Sequence, residues 1–131
     1  MRLAWSIEFD DTRQLVELSF EGPVSGPELL QAAAARIDFG RAKGAARYLI
    51  DAAAMLASPS VVIDVLEIPS KVYFEKKMDR AHRIAVVEPL DPDSRWISEF
   101  YENASFNRGW QVRSFADRGG AVAWLLSHPA G

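Results

Sequence analysis

Two short runs near the start of the chain alternate apolar and polar residues, and this period limits the possible fold more than any other feature. The runs cover residues 3–9 and 15–21, and a period of two is typical of a half-buried β-strand. Their apolar positions are Leu3, Trp5, Ile7, Phe9, Val16, Leu18 and Phe20. The polar residues 10–13 that separate the runs predict a turn, so the N-terminus should form an antiparallel hairpin.

The remainder of the chain alternates helix and strand signals. Ser25 and Glu28 form a capping-box pattern at a helix start, and Asp91 and Asp117 each stand directly before a helical pattern. A hydroxyl followed by proline, Ser58-Pro59, predicts a helix over 59–78 with a kink near Pro69, because proline lacks a backbone N–H. Strands are predicted over 46–50, ending at Asp51, and over 82–87 and 111–115.

The resulting order, β-β-α-β-α-β-α-β-α, predicts an α/β fold. Alternating strands and helices favour one mixed, mostly parallel sheet, with the N-terminal hairpin antiparallel and about four helices around it. A length of 131 residues fits a single domain over 1–131.

Composition narrows the function classes. The chain has no cysteine, which excludes disulfides and thiol catalysis. The net charge of -3 lacks the basic excess of nucleic-acid-binding proteins, so no nucleic acid is expected as a partner. No run approaches the roughly 18 apolar residues of a membrane span, and no signal-peptide pattern opens the chain. We therefore expect a cytoplasmic protein without integral membrane association.

Several blocks together carry a resemblance to a known family. They are the N-terminal hairpin, the strand ending in Asp51, Arg83-Ile84-Ala85-Val86-Val87, Phe115-Ala116-Asp117 and Ala121-Val122-Ala123-Trp124-Leu125. In these blocks the chain resembles the SpoIIAA-like proteins, relatives of the STAS domain of anti-sigma-factor antagonists. That family also includes proteins compared with lipid-binding SEC14 domains. The resemblance implies a STAS-like fold and a binding or regulatory role. Trp124 and Leu125 are expected on the inner face of the last helix.

The resemblance also points to two serines as candidate functional residues. In anti-sigma-factor antagonists a serine at the helix start after this strand is phosphorylated, which makes Ser58 and Ser60 candidates for a regulatory or ligand site. In this chain Ala57 stands where the family usually has an acidic residue, and Pro59 follows Ser58. A plain helix cap at Ser58 is therefore the favoured alternative. Asp51 joins the candidate site because ligands of open α/β sheets bind beyond the carboxyl ends of the strands.

Catalytic and metal-binding motifs are missing from the sequence. The two histidines, His82 and His128, have no second ligand at helical or hairpin spacing, so no metal site is expected. The sequence contains no G-x-S-x-G, no G-x-G-x-x-G and no G-x-x-x-x-G-K pattern. We expect no enzyme activity and no cofactor, and an enzyme using Asp51 is the weakest alternative.

The segment from Val61 to Met78 contains more apolar residues than one helix face can hold. Five of them share the face expected to dock on the sheet, whereas Ile63 points away from it. Beyond Pro69, apolar side chains spread around most of the helix. The predicted partner or ligand surface consists of Ile63, Val72, Tyr73, Phe74 and Met78. Its expected occupant is a protein partner, most simply a second copy in a homodimer.

Two functions follow from these observations. The leading prediction is a non-enzymatic cytoplasmic binding or regulatory module of the SpoIIAA-like type, which acts through a protein partner or a small ligand. The alternative is a carrier of a small apolar or lipid-like ligand, held in a groove beside helix 59–78.

Overall fold

The computed structural model describes residues 4–127, and these form a five-stranded mixed sheet with helices on both faces. The strands are β1 (Trp5–Asp10), β2 (Leu15–Pro23), β3 (Arg47–Leu56), β4 (Arg83–Val87) and β5 (Gln111–Phe115). They lie side by side in chain order. The pair β1–β2 is antiparallel, and the other three neighbouring pairs are parallel. The α/β fold predicted from the sequence is confirmed.

The helices are α1 (Gly26–Lys43), α2 (Val62–Glu67), α3 (Tyr73–Glu75), α4 (Trp96–Phe106) and α5 (Arg118–Leu126). The predicted capping box of α1 is present: the Ser25 hydroxyl accepts from the Glu28 amide, and the Glu28 carboxylate accepts from the Ser25 amide. Gly44 ends α1 at a φ of 67°, a left-handed conformation that glycine adopts without a steric penalty.

The helical segment after β3 is irregular. It begins with the 3-10 turn Pro59–Val61, continues as α2, and passes through the π-helical turn Ile68–Val72 into α3. The predicted kink near Pro69 is this π turn, since a proline inside a helix removes one backbone hydrogen bond. The helix expected over 59–78 ends earlier, at Glu75, and Lys77 then takes a left-handed φ of 53°.

The core has two parts, one on each face of the sheet. Helices α1, α2, α3 and α4 cover one face, and α5 alone covers the other. The smaller part consists of Leu15, Leu49, Ala85, Val87, Ala121 and Leu125.

One expectation about α5 needs correction. Leu125 is fully buried against the sheet, but Trp124 is only half-buried. Ala121 and Leu125, four residues apart, occupy the inner face of the helix, and this rotates Trp124 toward the rim. There the Trp124 ring packs 5.8 Å from the Phe115 ring, with the Arg83 guanidinium 4.6 Å above it.

The predicted end of β3 at Asp51 is also wrong. Asp51 is the last β3 residue that pairs with β4, opposite Val87, but β3 continues through Leu56. The extension covers residues 52–56, and its last three residues pair with residues 21–23 of β2 after a register shift between Ser19 and Glu21. Hydrogen bonds to a neighbouring strand therefore keep this alanine-rich stretch extended beyond the end of β4.

Candidate functional site

Asp51 lies on the α5 face of the sheet, where its carboxylate already has partners. Oδ1 accepts a hydrogen bond from the Ala53 amide at 3.0 Å, and Oδ2 lies 4.0 Å from Nη1 of Arg118. Arg118 also pairs with Glu17, with two N–O distances of 2.5 Å. This carboxylate pair around one guanidinium joins α5 to the sheet. About 16 Å of extended strand separates Asp51 from Leu56, so Asp51 does not form one site with Ser58 and Ser60.

Ser58 and Ser60 lie together and exposed at the start of the segment that leads into α2. The Ser58 hydroxyl accepts from the Ser60 amide at 3.2 Å, and the two hydroxyl oxygens are 3.0 Å apart. Ser58 is thus the predicted cap, although it caps a 3-10 turn. The preceding residue, Ala57, is fixed by hydrogen bonds to the Ser94 hydroxyl at 2.8 Å and to the Trp96 indole at 3.3 Å.

The predicted surface of five residues is split by the structure. Ile63 is 62% exposed and Phe74 47% exposed, and Val72 is half-buried. Tyr73 and Met78, however, are buried, at 0% and 7% exposure, so their predicted place on a surface is wrong. The π turn adds a residue to one helical turn, which shifts the register assumed at 100° per residue and turns Tyr73 inward. Met78 folds back beyond α3, where its amide bonds the Tyr73 carbonyl.

The buried Tyr73 side chain belongs to a hydrogen-bonded group of polar side chains inside the core. Arg36 of α1 is 1% exposed, and its Nη2 donates a hydrogen bond to the Tyr73 hydroxyl. The Tyr73 hydroxyl also hydrogen-bonds that of Tyr101 in α4. The guanidinium carbon lies 5.2 Å from the Tyr48 ring centroid and 5.3 Å from that of Tyr73. These contacts connect three helices through one buried cation.

Arg36 has no carboxylate partner within the described residues, and its Nε and Nη1 have no hydrogen-bond acceptor there. Burial lowers the pKa of the Arg36 guanidinium, but coulombic attraction to the neighbouring tyrosines outweighs this effect and leaves the pKa above its ordinary value. That attraction needs ionised phenols, which form only at the high pH where an arginine titrates, so it does not compensate the charge near pH 7. Burial raises the pKa of Tyr48 and of Tyr101, so both phenols are neutral near pH 7. The positive charge of Arg36 therefore lies among neutral side chains.

A cavity of about 50 Å³ lies beside this cluster. It is bounded by β2, β3 and β4 on the sheet side and by α1, the α2–α3 segment and α4 above. Every lining residue is at most 9% exposed. The polar side chains in the lining are Arg36, Tyr73, Ser98 and Tyr101. The other lining residues are Leu18, Phe20, Leu29, Ala33, Ile50, Ala52, Met55, Val65, Ile68, Val86 and Ile97.

The sequence analysis missed Arg36. It lies seven residues after Leu29 and three after Ala33, two cavity-lining residues of α1. Helical spacing therefore placed an arginine on the apolar face of α1, and this was the signal that could have revealed it.

In residues 4–127, no cluster of three or more histidine, aspartate or glutamate side chains is arranged to hold a metal ion. None of the helices in that range has the length and apolar character to cross a membrane.

Comparison with known proteins identifies the fold of this chain. No family model matches the sequence, and no curated protein matches it either. The crystal structure of an anti-sigma factor antagonist from Mycobacterium paratuberculosis is similar, with a TM-score of 0.60, 18% identity and 92% of each chain covered. An uncharacterized protein of the DUF3478 family from Shewanella loihica PV-4, which has a SpoIIAA-like fold, gives a TM-score of 0.56 and 17% identity over 93% of this chain and 92% of its own. This chain therefore has the SpoIIAA-like fold that its sequence predicted.

Proposed function

We propose that this chain is a non-enzymatic regulatory module that binds a protein partner at the edge of the fold where β3 leads into α2. The observation that carries the proposal is the exposure of three large apolar side chains in the segments at the end of β3, in α2 and after β4. Leu56 at the end of β3 is 45% exposed, Ile63 of α2 is 62% exposed, and Leu90 after β4 is 68% exposed. The Leu90 amide bonds the Ala53 carbonyl at 3.0 Å, which holds the loop after β4 against the extension of β3.

This edge, defined by Leu56, Ile63 and Leu90 and called the β3–α2 edge below, has the features of a docking surface. A contiguous exposed apolar patch usually marks an interaction site, and we propose that these three side chains form one. The hydrogen bonds that fix Ala57 give the edge a firm backbone, which favours binding without rearrangement. Ser58 stands between Leu56 and Ile63 in the chain, and a phosphate there would place a double negative charge beside the apolar contact.

Several observations support a role without catalysis. The Asp51 carboxylate is held by Arg118 and the Ala53 amide, which leaves it in a structural ion-pair cluster. His82 lies 3.9 Å from Asp79 and packs against the Tyr48 ring. The similarity in fold to an anti-sigma factor antagonist is consistent with regulation through a protein partner.

The test is capture of partners from an extract of the native host with three immobilised proteins: wild type, Ile63→Glu and Phe106→Glu. Phe106 is 74% exposed at the end of α4 and is the matched control, because both changes place a carboxylate on an exposed apolar position. We expect one protein to be enriched on wild type and on Phe106→Glu and to be lost from Ile63→Glu. Equal enrichment on all three would contradict a partner at the β3–α2 edge.

Sedimentation of the same three proteins distinguishes a second copy of the chain from a different partner. A concentration-dependent dimer that Ile63→Glu abolishes and Phe106→Glu retains would identify the partner as another copy. A monomer in all three proteins would assign the edge to a different protein.

A second candidate function, carriage of a small apolar ligand, is favoured by the cavity between the sheet and the helices. The ligand would lie beneath the α2–α3 segment, between it and the sheet, and not in a groove beside it. An alanine that lines the cavity offers a test, since Ala33→Leu fills the space from α1 without adding a polar atom. We expect 1-butanol to raise the Tm of wild type and to leave that of Ala33→Leu unchanged. An equal response of the two proteins would contradict binding in the cavity.

A further inference from the structure

We propose that the cavity binds a small organic acid, a carboxylate with a short apolar tail, and that the headgroup of this ligand pairs with the guanidinium of Arg36. The inference rests on the second candidate function, because it needs the cavity to be a ligand site. It adds the chemical class of the ligand and the residue that selects it.

The charge of Arg36 is the first step of the argument. Arginine is rarely buried unless an anion or several hydrogen-bond acceptors compensate it. Here one nitrogen, Nη2, donates to Tyr73, whereas Nε and Nη1 find no acceptor among residues 4–127. A carboxylate beside these N–H groups would satisfy them and neutralise the charge at once, because guanidinium and carboxylate form strong charge-assisted hydrogen bonds.

The lining of the cavity supplies the second step. Every lining side chain is apolar except those of Arg36, Tyr73, Tyr101 and Ser98. The Ser98 hydroxyl already donates to the Arg95 carbonyl at 3.0 Å. A ligand that fills this space is therefore mainly apolar, and one that also pairs with Arg36 carries a negative charge at one end.

Size and charge restrict the ligand further. A cavity of about 50 Å³ has room for about three to five water-sized groups, which suits a carboxylate with a few carbons and excludes a two-chain lipid. One guanidinium balances the single charge of a carboxylate. A phosphate monoester carries more charge and three acceptor oxygens, and the lining holds no second cation for it.

Tyr73 and Tyr101 act as positioning residues. The Tyr73 hydroxyl accepts from Arg36 and also bonds Tyr101, so side chains of α3 and α4 hold a guanidinium that comes from α1. A side chain fixed in this way loses little freedom when a ligand binds, which favours affinity. The guanidinium is thus held in place before the carboxylate arrives.

The experiment is calorimetric titration of the full chain with sodium butyrate, 1-butanol and butyl phosphate, whose four-carbon chains match the size of the cavity. The proteins are wild type, Arg36→Met, which keeps length without charge, and Arg36→Lys, which keeps the charge. We expect wild type to bind butyrate more tightly than the other two probes. Arg36→Met should weaken butyrate binding by about 10- to 100-fold, the usual effect of losing a charge-assisted hydrogen bond. It should leave butanol binding within about twofold of wild type, and Arg36→Lys should retain part of the butyrate affinity.

The possible results separate this inference from the function on which it rests. Equal binding of butyrate and butanol, unchanged in Arg36→Met, would overturn the role of Arg36 and leave the apolar carrier in place. Preference for butyl phosphate would overturn the carboxylate. Failure of all three probes to bind wild type would overturn both the inference and the carrier function. If Arg36→Met does not fold, Tyr73→Phe replaces it, with a smaller loss expected for butyrate alone.

Discussion

Replacing Arg36 with methionine should make the protein more stable. Methionine has a similar length and an adaptable apolar side chain, so it can occupy the space of the arginine stem beside the cavity. Tyr73 would lose the Arg36 donor but keep its hydrogen bond to Tyr101, so neither phenol would be left without a partner. The change would mainly remove a buried positive charge that has no counter-ion among the described residues.

The magnitude follows from the favourable and unfavourable interactions that the substitution removes. The charge-assisted hydrogen bond to Tyr73 contributes about 1.5–3 kcal/mol, and the cation–π interactions with the Tyr48 and Tyr73 rings about 1 kcal/mol each. Against this, two buried nitrogens without acceptors cost about 2–6 kcal/mol, and taking the charge out of water costs several kcal/mol more. We expect Arg36→Met to raise the free energy of unfolding by about 1–3 kcal/mol, or about 3–10 °C in Tm.

Urea denaturation and a thermal melt measure this effect in the absence of added carboxylates. Arg41→Met is the control, because Arg41 belongs to the same helix but is exposed and donates a hydrogen bond to the Lys76 carbonyl. The control should change the free energy of unfolding by no more than about 0.5–1 kcal/mol. A loss of about 2 kcal/mol or more in Arg36→Met would show that the arginine is a structural residue and would refute the reasoning.

Three further predictions concern the Ser58 cap, the packing of α5 and the titration of His82. Ser58→Ala should cost about 0.5–1 kcal/mol in urea denaturation, and Ser58→Asp should keep most of the cap, since its carboxylate can accept the same hydrogen bond. Leu125→Ala should cost about 2–5 kcal/mol and the half-buried Trp124→Ala clearly less, so an equal Tm loss would contradict the packing of α5. Burial lowers the pKa of His82, so the unfolded chain takes up a proton before the folded chain does. The free energy of unfolding should therefore fall as the pH drops below about 6.5, and a His82→Gln variant with the same slope would refute this.

The architecture could be predicted because its signals are local. Alternation in residues 3–9 and 15–21 defined the hairpin, and the antiparallel register that pairs Trp5 with Phe20 agrees with it. Caps at Ser25 and Asp117 are contained within four residues of sequence, and both are present in the structure. The parallel pairing of the later strands then followed from the alternation of strands and helices along the chain.

The candidate site was harder to predict because its features depend on distant contacts. The end of β3 is set by pairing with β2, more than thirty residues earlier in the chain, and not by Asp51 itself. The inward turn of Tyr73 follows from a π turn whose exact register the sequence does not reveal. The burial of Arg36 becomes visible only when α1 is packed beside Tyr73 and Tyr101.

The most direct test of the central claim, that this fold holds a binding site for an organic acid around Arg36, is nuclear magnetic resonance of the arginine side chains. The Nε–Hε signal of Arg36 can be assigned by its absence in Arg36→Met. We predict that titration with butyrate shifts this signal strongly and saturably, while 1-butanol shifts it much less, because a carboxylate accepts from the guanidinium more strongly than an alcohol does. An Arg36 signal that moves no further with butyrate than with 1-butanol would contradict the account.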